Sequence, residues 1–158
     1  MNQIGYEERV VIYEKAQARF GLRAQALKAL EELGEVSVEL ARVQNGLGSM
    51  EALAEEIADA TIMLEQIRLL YDIEAQFYRR LNVWTSDPKE LNAMEVLCKV
   101  IVELARVQNG LGSMEALAVA VADATLALQQ THVRYDVSEQ MGRQMDAKLL
   151  RLAGKLVE

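Results

Sequence analysis

Proline, cysteine and histidine each occur once in the 158 residues, and aromatic side chains make up only 5%. So few prolines and aromatics argue against a sandwich or barrel of short strands and leave long helices as the expected element. A single cysteine, Cys98, excludes an internal disulfide framework and a Cys-rich zinc site, and reads as a small apolar filler. The one histidine, His132, has Gln129 three residues before it, so the Glu-x-x-His pattern of a di-iron bundle is missing. No apolar run is long enough to cross a bilayer, and the opening stretch Met1 to Arg9 lacks the apolar core of a signal peptide. Basic residues are in deficit, 17 against 24 acidic ones for a net charge of -7. That balance disfavours nucleic acid and anionic membranes as partners. The expectation is a soluble, intracellular, cytoplasmic all-α protein.

What the chain does contain is a repeat. The run Glu39 to Ala54 recurs unchanged as Glu103 to Ala118, an offset of 64 residues. Similarity continues on both sides at the same offset. Leu27 matches Leu91, Leu33 matches Leu97, Asp59-Ala60-Thr61 matches Asp123-Ala124-Thr125, and Tyr71-Asp72 matches Tyr135-Asp136. Two copies are too few for a solenoid. The expected architecture is a pair of duplicated helical hairpins closing on each other as an intrachain pseudo-dimer. The first unit spans residues 1–85 and the second 86–158, packed together as one globular body.

Each copy reads as helix, turn, helix. Leu33, Val36, Leu40, Val43 and Leu47 recur at three- and four-residue steps, as one buried stripe would. Asn45-Gly46-Leu47-Gly48 breaks the helix, and Ser49 is suited to cap the next, whose buried face carries Leu53, Ile57, Ala60, Leu64, Ile67 and Tyr71. Thr85-Ser86-Asp87-Pro88 marks the join, with Ser86 or Asp87 as cap and Pro88 in the first helical turn. An additional helix over Tyr6 to Arg19 precedes the first copy, and one over Glu139 to Val157 closes the second. Met50, Met63, Met94 and Met114 read as core, and Trp84, Phe20 and Tyr71 as packing residues.

Two acidic clusters suggest the chemistry. Glu31-Glu32-Leu33-Gly34-Glu35 lies on the first long helix and Glu55-Glu56-Ile57-Ala58-Asp59 on the second. Residues three apart share a helix face, so Glu32 pairs with Glu35 and Glu56 with Asp59, each pair at the rim of the seam between the helices. Four carboxylates brought together repel one another, and an all-oxygen site favours a hard cation such as Mg²⁺ or Mn²⁺. The alternative is a solvated acidic face, but the positions four residues after Glu32, Glu35 and Glu56 are Val36, Glu39 and Ala60, not cations. In the second copy the substitutions fall on the acids. Glu32 becomes Val96, Glu35 becomes Lys99, Glu55 becomes Val119 and Glu56 becomes Ala120, while Glu95, Glu103 and Asp123 remain. Lys99 there reads as a counter-charge to Glu95 and Asp123 or as a phosphate contact. Lys15, Arg23 and Lys28, ahead of the acids, are further candidates to meet phosphate.

Glu-Glu-x-x-Glu, a spacer, then Glu-x-x-Asp resembles the motif of the MazG-like all-α nucleoside triphosphate pyrophosphohydrolases. Here it is Glu31, Glu32 and Glu35 followed by Glu56 and Asp59, flanked by Phe20-Gly21 and Gln25 upstream and Ile62-Met63-Leu64-Glu65-Gln66 downstream, as in small phage and prophage members. The resemblance covers about Ala16 to Tyr71. It implies a four-helix-bundle type of fold and Mg²⁺-dependent hydrolysis of an NTP or dNTP to the monophosphate and pyrophosphate, as in house-cleaning of nucleotide pools. It also implies Glu32, Glu35, Glu56 and Asp59 as metal ligands, with Glu31 beside them to orient or accept a proton, and Mn²⁺ as a substitute ion. Family members generally assemble from several chains, so the second copy would take the partner's place within the chain, and pairing of two chains stays open. A non-catalytic acidic helical protein that engages partners or nucleotide is the alternative. The preferred base or sugar is not encoded in the acid motif.

Overall fold

The computed structural model describes residues 4–157, so Met1, Asn2 and Gln3, part of the opening stretch discussed above, and Glu158 lie outside the described residues. Seven helices and no strand are found among the described residues: α1 (Tyr6–Phe20), α2 (Leu22–Gln44), α3 (Met50–Leu70), α4 (Glu74–Ser86), α5 (Ala93–Gln108), α6 (Met114–Arg134) and α7 (Ser138–Lys155). The protein is all-α. No helix among the described residues is long and apolar enough to cross a membrane.

The α2–α3 turn shows why Asn-Gly-Leu-Gly stands unchanged in both repeats. Gly46 has φ of 71°, the left-handed region that favours glycine. At Gly48 an added Cβ would lie 2.8 Å from the backbone nitrogen of Val43. Ser49 then accepts from the amide of Ala52 at 3.0 Å as the cap of α3. Leu47, expected in the buried stripe, is instead exposed, because α2 has already ended at Gln44 to make this turn.

Each repeat has a third helix; the one closing the second repeat is as expected over Glu139 to Val157, found as α7, whereas its counterpart α4 in the first repeat is not included in the helix-turn-helix reading. Asp72 and Asp136 adopt left-handed backbone, φ 51° and 54°. The next residues, Ile73 and Val137, are buried and close the break by donating to the carbonyls of Arg68 and His132. α4 and α7 follow. The join between repeats also differs from expectation. Pro88 lies outside any helix, and α5 starts at Ala93, capped by Asn92, whose Oδ1 accepts from Glu95 N at 3.2 Å. The segment ahead of it is tied to α6, where Gln130 accepts from Leu91 N at 3.0 Å and donates to Lys89 O at 2.9 Å.

The repeats pack across each other. α2 runs against α5, α3 against α6, α7 against α3, and α4 against α6. Exchanging every helix for its counterpart 64 residues away turns the α3–α7 contact into the α6–α4 contact. Each third helix therefore rests on the long second helix of the other repeat. α3 and α6 sit innermost, buried nearly all round through Leu53, Ile57, Leu64 and Ile67 and through Leu117, Val121, Ala124 and Leu128. α1 has no counterpart in the second repeat. It is pinned to α3 where Arg9 and Tyr13 both donate to Glu65, at 2.9 and 2.8 Å.

Several minor expectations are revised. Met63 is buried, but Met50 and Met114 are exposed at the starts of α3 and α6, where the first turn lies clear of the core. Cys98 is exposed rather than a core filler. Phe20 is also largely exposed, whereas Trp84 is half-buried with its indole nitrogen unpartnered.

Candidate metal centre

Three acids converge at the α2–α3 seam. Glu32, Glu35 and Glu56 each present a carboxylate oxygen within 4.8 Å of the other two. Glu32 neighbours Leu33 in the core stripe of α2 and is only 6% exposed; Glu35 lies one turn on toward solvent, and Glu56 is half-buried on α3. Lys28 donates to Glu32 Oε1 at 2.6 Å, while Glu32 Oε2 and Glu56 Oε2 are buried without a partner. A buried, unpartnered carboxylate oxygen is costly.

The electrostatics agree. Burial first, then repulsion from Glu35, Asp59 and Glu32, pushes the Glu56 carboxyl up to about 7. Glu35 is raised as well, first because its protonated form can donate to Glu32, then by burial and the neighbouring charge. When both are ionised they are acceptors only, and nothing joins them.

Asp59 stands beside this trio, in separate hands. Lys148 of α7 donates to Asp59 Oδ2 and, at 3.2 Å, to Glu55 Oε1. Burial raises the Asp59 carboxyl despite the opposing effect of that lysine. Glu31 points outward, mostly exposed, with Lys28 at 3.2 Å.

A cleft of about 540 Å³ opens next to these acids, between α2, α3 and α7. Its lining includes the acids Glu32 and Asp59, the apolar Phe20, Ile62, Met63 and Leu152, and the cations Lys28, Lys148, Arg151 and Lys155. Gln25 and Gln66 also line it; both are at least nine-tenths buried, and neither carboxamide makes a hydrogen bond among the described residues. Set against known protein families, curated proteins and solved structures, the chain matches none. What the site can do therefore rests on its own chemistry. An all-carboxylate donor set with two free buried oxygens suits a hard divalent cation, and the cations beside it suit an anion.

Sequence reasoning had missed three of these features. Lys28 is expected ahead of the acids as a phosphate contact, but its pairing with Glu32, four residues on, is not, although that spacing makes it legible. Gln66 interrupts the apolar face of α3 between Met63 and Ile67, a local signal of a buried polar group. Lys148 carries no local signal at all, being 89 residues from Asp59.

The second repeat has no such acid cluster at the corresponding seam. Val96 and Ala120 are buried where Glu32 and Glu56 would be. Lys99 reaches only Glu95, at 2.7 Å. Asp123, which Lys99 was expected to balance, is held by Arg80 of α4 through two bonds of 2.7 and 2.9 Å.

Proposed function

We propose that this protein is a divalent-metal-dependent nucleoside triphosphate pyrophosphohydrolase with one active site per chain, at the α2–α3 seam. The reading includes the MazG-like architecture, with the second repeat standing in for a partner subunit. The observation that supports it most is the pair of buried, unpartnered oxygens on Glu32 and Glu56. Glu32, Glu35 and Glu56 would hold Mg²⁺, with Asp59 able to join them once freed from Lys148. A bound Mg²⁺ would supply charge neutralisation for the phosphates and a more acidic water.

The chain's own residues do the rest. Lys28, Arg151 and Lys155 face the triphosphate and orient it. Phe20, Ile62 and Met63 wall off the base and exclude water from it. The carboxamides of Gln25 and Gln66, each with donors and an acceptor, meet its polar edge. Glu31, exposed at the rim, is best placed to steady Lys28.

The test is a panel of common NTPs and dNTPs with Mg²⁺ and with Mn²⁺, read as pyrophosphate release. Release that disappears in Glu56→Gln supports the proposal, and no release from any nucleotide sinks it. A second reading, nucleotide binding without turnover, is favoured by the two lysines that already neutralise part of the acid group; it predicts binding with no pyrophosphate.

A further inference from the structure

In each repeat the aspartate of the second helix is neutralised by a cation from the third helix of the other repeat. The chemistry of the two cations differs. Asp123 is gripped by the planar fork of Arg80, two parallel bonds from one guanidinium, an arrangement that is geometrically specific and always charged. Asp59 is met by Lys148, a single ammonium shared with Glu55. The two cations do not occupy matching places: at the offset of 64, Lys148 corresponds to Trp84 and Arg80 to Gln144. The repeats therefore reached the same charge balance by different residues, a fixed clamp at one and a point charge at the other. Only the point charge adjoins acids with partnerless buried oxygens, on Glu32 and Glu56.

We propose that Lys148 is a built-in, exchangeable counter-ion, which a divalent cation entering the Glu32–Glu35–Glu56 group displaces from Asp59. This rests on the metal-binding part of the proposed function. An ammonium balancing the acids before the ion arrives keeps the empty site foldable and opposes binding of a second positive charge. The ion thus binds more weakly than the bare carboxylates would allow, and its binding frees Asp59 to join them. Lys148 then remains on the wall of the cleft, on the same face of α7 as Arg151 and Lys155. The arriving metal hands the anion side of the cleft one more free cation.

Titration calorimetry of the full chain with Mn²⁺ alone, without nucleotide, tests this. Lys148→Met keeps the length of the side chain and removes its charge, and should tighten Mn²⁺ binding by about tenfold. Lys148→Arg should weaken it several-fold, by giving Asp59 the kind of fork that closes Asp123. Arg80→Met, the control in the other repeat, should leave the affinity unchanged. Opposite shifts for Met and Arg support the proposal, even if one variant has a lowered melting temperature. Equal Mn²⁺ affinity in all forms, or weaker binding in Lys148→Met, overturns it while leaving the metal site standing. No heat in any form overturns the metal site as well.

Discussion

The two repeats keep the same scaffold and part company at the acids. Their turns share Asn-Gly-Leu-Gly, their second helices are capped by Ser49 and Ser113 in the same way, and Leu33 and Leu97 are both fully buried. Where the first repeat carries Glu32, Glu35 and Glu56, the second has Val96, Lys99 and Ala120. Backbone geometry explains the likeness, since the glycine turn admits few substitutes. Charge explains the difference. A cluster of like charges with free buried oxygens is a standing cost to folding, which the second repeat avoids with apolar side chains and an arginine clamp. On the function proposed above, the first repeat keeps that cost for a metal ion.

The sharpest way to break the comparison is to remove that cost from the first repeat. Glu56→Gln should lower pyrophosphate release by at least about 100-fold, since losing even a residue that merely orients a metal ligand can cost that much. The reciprocal change, Ala120→Glu, should create no second activity, because Val96 and Lys99 supply no companion ligand. Comparable activity in Glu56→Gln and the parent would leave the two repeats functionally alike.

Scaffold variants should affect both repeats equally. Leu33→Ala and Leu97→Ala each empty a fully buried site, and each should cost about 2–5 kcal/mol by denaturant unfolding. A large gap between them would mean that one repeat bears most of the folding stability.

The scaffold was far more legible in the sequence than the site. Three- and four-residue steps located every helix but α4, and the glycines and Ser49 located the turns, because these depend on local backbone geometry. The same local logic failed at Pro88, where the tie from Gln130 to Lys89 and Leu91 overrides the expected helix start. It failed again at Leu47, counted in the buried stripe although it lies in the turn that ends α2. At the site, spacing put Glu32 with Glu35 and brought α3 alongside, but left Asp59 in the same group. Its separate attachment to Lys148 depends on how α7 crosses α3, and nothing near either residue encodes that crossing.

A pH series gives a smaller effect, of definite sign. In the unfolded chain Glu56 is an ordinary carboxyl; folded, it is pushed up to about 7. Between those values the folded state retains a proton that the unfolded state has lost. Its contribution to stability is therefore complete below the unfolded pKa and falls away as pH rises through about 7. Glu35 and Asp59, raised in the same direction, add to this slope. Without divalent ions, the parent should lose more stability than Glu56→Gln between about pH 5 and 8, by on the order of 1 kcal/mol after solvent screening. Parallel melting curves for the two would mean that Glu56 does not titrate in this range.

The smallest effect is expected at Glu31, and it separates the acids that matter from one that merely adjoins them. Glu31 is mostly exposed, and its one ion pair, to Lys28 at 3.2 Å, competes with the shorter bond from the same lysine to Glu32. An exposed pair of this kind contributes about 0.5 kcal/mol or less. Glu31→Gln should therefore leave the melting temperature nearly unchanged and reduce pyrophosphate release by no more than a few-fold, through a less steady Lys28. A loss as large as that of Glu56→Gln would give Glu31 a direct part in the chemistry. It would also weaken the contrast between the repeats, because Glu95, its counterpart at the offset of 64, is one of the acids that the second repeat has kept.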